Sequence, residues 1–215
     1  MSFESSKTLA GIGALLLFIG GLPFISGSTY FILPIIGVIL LLVGLKGLSN
    51  HFREPGIFNN SLYATIIAVV GAISLIVVAI AVLFTQVGSF LGEIFPAWDG
   101  NWTSLSQVNP VEMNPDFAFS GLASFLATIL LLFIGLFVIV LLACIFYRKS
   151  LSLLREKSNV GLFGSAGTVL LIGGVLTILF GLGLILIWVT TLIVAIAFFQ
   201  IKDPYLQAPP QGQYV

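Results

Sequence analysis

The chain has 215 residues, of which 59% are apolar and 7% charged, with a mean hydropathy of +1.18 and eight basic residues balancing eight acidic ones. A soluble domain carries about 25% charge because its surface must face water. Sixteen charges cannot cover such a surface, so a soluble enzyme, a nucleic-acid binder and a disordered chain are excluded. One cysteine, Cys144, allows no internal disulfide and no thiolate cluster, and one histidine, His51, allows no multi-histidine metal site.

Crossing the hydrocarbon core takes about 20 apolar residues. In chain order, six stretches satisfy that length: about 8–25, 30–48, 61–91, 117–147, 161–180 and 183–201. The first lacks a small-x-small cleavage site and runs on into the second, so it reads as a retained helix. The fifth and sixth come from dividing one uncharged run at Phe180-Gly181-Leu182-Gly183. Backbone groups in lipid must bond within their own segment, so all six are expected to be helices. The expectation is an all-α polytopic bundle, with an outer loop at 92–116 and a mobile Pro/Gln-rich tail at 203–215.

Charge sets the orientation. With the amino terminus cytoplasmic and six crossings, Lys7, Lys46, Arg53, Arg148, Lys149, Arg155, Lys157 and Lys202 all fall inside. The outer loop then carries only Glu93, Asp99, Glu112 and Asp116. Basic residues confined to one side follow the positive-inside rule, and both termini are expected in the cytoplasm. A rival arrangement lets one or both short helix pairs dip into the membrane and return. Charge does not separate the two, because the ends of each pair stay inside either way.

Glycines recur at a spacing of seven: Gly13, Gly20 and Gly27, then Gly37 and Gly44, then Gly167, Gly174 and Gly181. Seven residues are nearly two helical turns, so each set lies along one face and offers close backbone approach to a neighbouring helix. The inner loops echo each other as well. Lys46-Gly47-Leu48-Ser49 resembles Lys149-Ser150-Leu151-Ser152, and Gly56-Ile57-Phe58 resembles Gly161-Leu162-Phe163. Both loops leave an outward-to-inward helix and enter an inward-to-outward one, which describes a parallel internal repeat rather than an inverted one.

The segments Glu4-Ser5-Ser6-Lys7-Thr8-Leu9-Ala10-Gly11-Ile12-Gly13, Val43-Gly44-Leu45-Lys46-Gly47-Leu48-Ser49, Gly56-Ile57-Phe58-Asn59-Asn60 and Ala195-Ile196-Ala197-Phe198-Phe199-Gln200-Ile201 resemble a family of archaeal membrane proteins known as domain of unknown function number 996. The resemblance implies a multi-pass protein and carries no activity with it.

Candidate chemistry is sparse. Ion-coupled transport needs ionisable groups within the membrane, and no segment has one at its middle. The segments contain Ser74, Thr85, Gln86, Thr128, Cys144, Thr168, Thr177, Thr190 and Thr191, and such hydroxyls commonly bond back to their own helix. His51 lies beside Arg53 and Glu54 with no nucleophile or metal partner near it in sequence, and reads as solvated. Asp99, Glu112 and Asp116 match no calcium-loop spacing. No metal and no cofactor is expected. Asn101-Trp102-Thr103 is an N-glycosylation acceptor pattern in the outer loop, and Trp98 and Trp102 suit the outer interface. Residues 148–157 place Leu151 and Leu154 on one face among Arg148, Lys149, Arg155 and Lys157. That pattern suits either a short helix on anionic lipid headgroups or an ordinary basic loop. The leading functional reading is a non-enzymatic membrane scaffold or accessory subunit. Its partners are membrane lipids and another membrane protein or a second copy, with no nucleic acid. The alternative is a small facilitator for a neutral solute.

Overall fold

The computed structural model describes residues 1–21, 32–95, 98–104, 119–179 and 181–202. Among these there are six helices and no strand: α1 (Phe3–Gly21), α2 (Ile32–His51), α3 (Pro55–Ile94), α4 (Phe119–Ser158), α5 (Leu162–Leu176) and α6 (Gly183–Gln200). Gly27, the turn at 26–29, most of the outer loop (including Glu112 and Asp116) and the tail from Asp203 lie outside the described residues.

Five helices are long and apolar enough to cross a membrane; α5 is not. Helices α3 and α4 have 40 residues each, about 60 Å at 1.5 Å per residue. They exceed the expected 61–91 and 117–147 because nothing breaks them at their charged ends. Helix α3 starts at Pro55, where a missing N–H costs nothing. Helix α4 runs through the basic stretch to Ser158.

The chain divides into two compact units. The first takes in Met1–Ala68 and the chain from Ile139 onward. The second is Val69–Val138.

In the first unit α1 packs against α2 and α6, and α5 packs against α6. The core gathers Leu41, Leu45, Leu48, Ile57, Leu151, Leu154, Phe163 and Phe198 with the start of α1. Arg53 (φ 52°) and Asn159 (φ 55°) each follow a helix end in the left-handed conformation, a common way to stop a helix. After α2, Glu54 N donates to Ser49 O at 3.0 Å, the long closing bond of that stop.

These two stops fix the register of the repeat. Leu45, Leu48, Arg53 and Ile57 stand at one constant offset from Leu151, Leu154, Asn159 and Phe163, and all six apolar members are buried. Ile57 N→Glu54 O and Phe163 N→Val160 O also correspond. The echo read from residue letters, Leu48 with Leu151, is thus out of step by one helical turn.

Helix α5 has 15 residues, about 22 Å, and ends at Leu176 rather than at 180. Gly181 turns the chain at φ 78°. Around this turn Ile178, Leu179 and Leu182 are exposed, Leu182 at 61%. The backbone nevertheless closes on itself: Thr177 N→Gly173 O, Ile178 N→Val175 O, Leu179 N→Leu176 O, Gly181 N→Thr177 O and Leu182 N→Leu179 O. An apolar turn with bonded amides meets the demand that hydrocarbon makes on irregular backbone.

In the second unit no described residue is buried. Its helical stretches expose Ile73, Ile76, Val77 (61%), Ile80, Leu130, Leu131 (71%) and Ile134.

Candidate functional site

The first unit collects its ionisable groups at one end. Three contacts establish that the helix starts and ends meet there. Lys7 Nζ donates to Ile201 O at 3.2 Å and pairs with Glu4 at 2.9 Å, joining the start of α1 to the end of α6. The Phe3 ring lies 4.5 Å from the His51 ring, joining α1 to the end of α2. Lys157 Nζ lies 3.5 Å from Glu54, joining the end of α4 to the turn before α3. These partly exposed ion pairs are each worth about 0–1 kcal/mol, so they orient the ends more than they stabilise them. His51 is part-buried and packed between Phe3 and Phe52, and the solvated reading made from sequence is corrected accordingly.

Beneath this end lies a buried polar relay. Ser61 Oγ donates to Ser150 Oγ at 2.7 Å, and Ser150 Oγ donates to Ile57 O at 2.6 Å. Both serines are fully buried, and the Ser61 hydroxyl needs Ser150 as its acceptor because an unmet buried donor costs about 1–3 kcal/mol.

The basic stretch is neither a separate surface helix nor a loop. Residues 148–157 are the last turns of α4, and Leu151 and Leu154 are buried in the core. The apolar face that would have met lipid faces protein. The four basic residues are exposed, each with a neighbour. Arg148 lies over Gly167, Arg155 over Gly164, Lys149 stands 5.4 Å from the Phe146 ring, and Lys157 faces Glu54. They form a basic collar on helix ends.

The glycines do several kinds of work. A Cβ on Gly13 would collide with the backbone of Leu41 and come within 2.7 Å of Gly37 O. On Gly37 it would come within 2.9 Å of Gly13 O, on Gly44 it would strike Ala10, and on Gly20 it would come within 2.6 Å of Pro34. These four lie on the α1–α2 contact. Gly167 and Gly174 instead face α4, at Arg148 Cγ (3.3 Å) and Cys144 Cβ (3.1 Å). Gly181 is a turn glycine: a Cβ there would meet only Leu184, at 3.7 Å, and its positive φ is what the position requires.

Off the spacing of seven, Gly11 faces Phe199 and Gly21 faces Trp188, while Gly173 and Gly183 meet backbone to backbone in the α5–α6 pair. Trp188 stacks on Phe18 at 4.7 Å and donates Nε1–H to Phe18 O at 2.8 Å. The periodicity read from sequence missed this α1–α6 clamp. A signal for it was present in Gly21 and the lone indole of the last segment.

Seven hydroxyls on or beside the helices bond to backbone carbonyls of the preceding turn. Thr85 bonds Val82 O, Ser89 bonds Thr85 O, Thr128 bonds Ser124 O, Thr168 bonds Gly164 O, Thr177 bonds Gly173 O, Thr190 bonds Leu186 O and Thr191 bonds Trp188 O. In the second unit Ser124 Oγ also donates weakly to Gln86 Oε1 at 3.4 Å. No cluster of three or more His, Cys, Asp or Glu able to hold a metal occurs among the described residues.

The described part of the loop, 98–104, is a local turn. Asp99 accepts from Ser104 Oγ at 2.6 Å and Asn101 N at 2.9 Å. The Ser104 hydroxyl, then the Asn101 amide, hold its carboxyl below the ordinary value of 3.8. Asn101 is exposed, and its Oδ1 accepts from the Thr103 hydroxyl at 2.8 Å. Trp98 and Trp102 meet edge to face at 5.5 Å.

Five apolar helices of this length, with the ionisable groups towards helix ends, are the features of a helical multi-pass membrane protein. Within that class the chain belongs to the family described as Protein of unknown function (DUF996), whose model matches residues 33–193. It is similar to an uncharacterised protein of Methanocaldococcus jannaschii, 25% identical over 203 residues, covering 94% of this chain and 95% of that one. No solved structure matches.

Proposed function

We propose that this protein is a non-enzymatic membrane scaffold or accessory subunit, packing against lipid and against another membrane protein or a second copy of itself. The observation that carries the reading is where its polar groups go. Thr85, Thr128, Thr177 and Thr190 close on backbone of the preceding turn, and charge lies towards helix ends and loops. Among the described residues no proton relay and no reacting pair of ionisable groups crosses these helices. What the second unit offers is apolar surface, which in a membrane is a surface for lipid or for a neighbouring helix. The eight Lys and Arg support an orientation with both termini in the cytoplasm and the loop at 92–116 outside.

The facilitator reading keeps one observation of its own. Gln86 and Ser124 meet in the second unit, with Thr85, Ser89 and Thr128 on the same stretches of helix. Reconstitution tests both. Proteoliposomes are expected to show no ion current, no proton- or sodium-driven uptake, and no accelerated swelling in glycerol or urea. Swelling that falls when Gln86 is replaced by Leu would refute the scaffold reading and establish the facilitator.

A further inference from the structure

One face of α2 leads from bare hydrocarbon-type surface to two exposed polar heads. Ile32, Ile36, Ile39 and Val43 are exposed and follow one another at helical spacing. Next on the same face come Lys46 and, one turn on, Asn50, both exposed. Among the described residues Lys46 makes no ion pair and the Asn50 amide no hydrogen bond. The Lys46 ammonium is instead held 4.8 Å above the Phe58 ring, an arrangement that fixes a cation without neutralising it.

These residues border a groove of about 340 Å³ lined by Leu42, Val43, Lys46, Gly47, Asn50, Phe58 and Met1. Its size falls at the small end of ligand pockets, about 300–1,000 Å³. Its wall is mostly apolar, with one cation and one amide at the rim. Gly47 makes the floor possible, because a Cβ there would strike Ser6 Oγ of α1.

The chemistry of such a site is that of an amphiphile with a negative head. A soluble anion would gain one lysine and lose its water against apolar walls. An apolar ligand would strand an ammonium and an amide. A lipid uses every part: its phosphate meets Lys46, the polar remainder of its headgroup meets Asn50, and a chain lies along Val43, Ile39, Ile36 and Ile32. We propose that this groove is a binding site for one anionic phospholipid, held by Lys46 and Asn50, with its hydrocarbon chain along the exposed stripe of α2. The proposal rests on the membrane reading above and adds a particular address to it. The basic collar of Arg148, Lys149, Arg155 and Lys157 gives diffuse attraction to anionic headgroups; the groove gives a stoichiometric site.

The test compares full-length protein in nanodiscs of phosphatidylcholine with graded phosphatidylglycerol, read by native mass spectrometry and by melting. Parent protein is expected to retain one phosphatidylglycerol and to melt higher as that lipid is added. Lys46→Gln should weaken retention about tenfold or more, the usual scale for losing a hydrogen bond to a charged group. Asn50→Leu should weaken it less. Lys149→Gln removes the same charge from a lysine that also stands over a phenylalanine, and should bind like the parent. Glycerol 1-phosphate should give no thermal shift. Equal loss in Lys149→Gln, undiminished retention in both groove variants, or protection by glycerol 1-phosphate would each overturn the site. If Lys46→Gln lowers the lipid-free melting point, Asn50→Leu decides alone. Membrane insertion is checked separately by resistance to carbonate extraction, so failure of the groove and failure of the membrane reading are distinguishable.

Discussion

The two units are both built from apolar helices and yet use their surfaces in opposite ways. Every buried side chain belongs to the first unit, among the described residues. There, glycines sit where another backbone passes, and polar bonds join residues far apart in the chain: Ser61 with Ser150, Lys7 with Ile201, Trp188 with Phe18. In the second unit a Cβ on Gly88 or Gly92 would meet nothing within 4 Å, and its polar bonds are local apart from the weak Ser124–Gln86 contact. Mean hydropathy is highest in α3 and α4, whose most apolar windows are the least buried, so high hydropathy is not what makes a helix pack. The arrangement of small residues is, because in lipid helices gain by close van der Waals contact rather than by leaving water.

The sharpest way to break the comparison is accessibility. Thr103→Cys, in the loop of the second unit, is expected to react fully with an impermeant thiol reagent on intact cells. Ser152→Cys, at the charged end of the first unit, should not react until cells are opened. Leu182→Cys, on the turn between α5 and α6, should resist the reagent in both states, since its surroundings are exposed yet wholly apolar. Labelling of Leu182→Cys from outside would show that this pair crosses completely. Labelling of Ser152→Cys on intact cells would invert the orientation. The parent's Cys144 is buried and serves as the unlabelled background.

Glycine substitution gives the next largest effect. Gly13→Leu and Gly44→Leu force a side chain into backbone, and overpacking costs about 1–3 kcal/mol, occasionally more. Both should lower the melting point in detergent markedly. Gly88→Leu enters open space and should leave it unchanged or raise it, as helix propensity favours Leu over Gly by roughly 0.5–1 kcal/mol. Equal sensitivity at Gly13 and Gly88 would mean that the second unit packs after all, against a partner retained through purification.

These glycines also mark how far sequence reasoning reaches. The helical class was legible in composition and run length alone, because a chain with so few charges has one kind of surface. A spacing of seven identifies a face but not what lies across it. It groups Gly167 and Gly174 with Gly181, although two of them face α4 and the third is a turn. It passes over Gly11, Gly21 and Gly183, whose neighbours are brought together only by the fold. Leu151 and Leu154 show the same limit from the other side: an apolar pair among basic residues looks alike whether it meets lipid or the core. The Lys46 groove is not legible in the sequence because its parts come from α2, α3 and Met1, far apart in the chain.

The smallest expected effect lies in the turn of the second unit, where structure rests on one exposed carboxylate. Asp99 is ionised when it accepts from the Ser104 hydroxyl and the Asn101 amide, and these bonds depress its pKa below 3.8. A group with a lowered folded pKa contributes above its ordinary value and loses that contribution as pH falls through the lowered one. The turn should therefore be intact at neutral pH and loosen only below about pH 3.8. The edge-to-face pair Trp98–Trp102 reports on it. In a Trp188→Phe background, their fluorescence is expected to change with a midpoint below 3.8. In Asp99→Asn, which keeps an acceptor and cannot titrate, the same change should be absent. A midpoint unaffected by that substitution would assign the transition to another carboxylate and leave the turn without its anchor. Nothing comparable is expected in the first unit's core, where the long-range bonds from Ser61, Ser150 and Trp188 involve no group that titrates in this range.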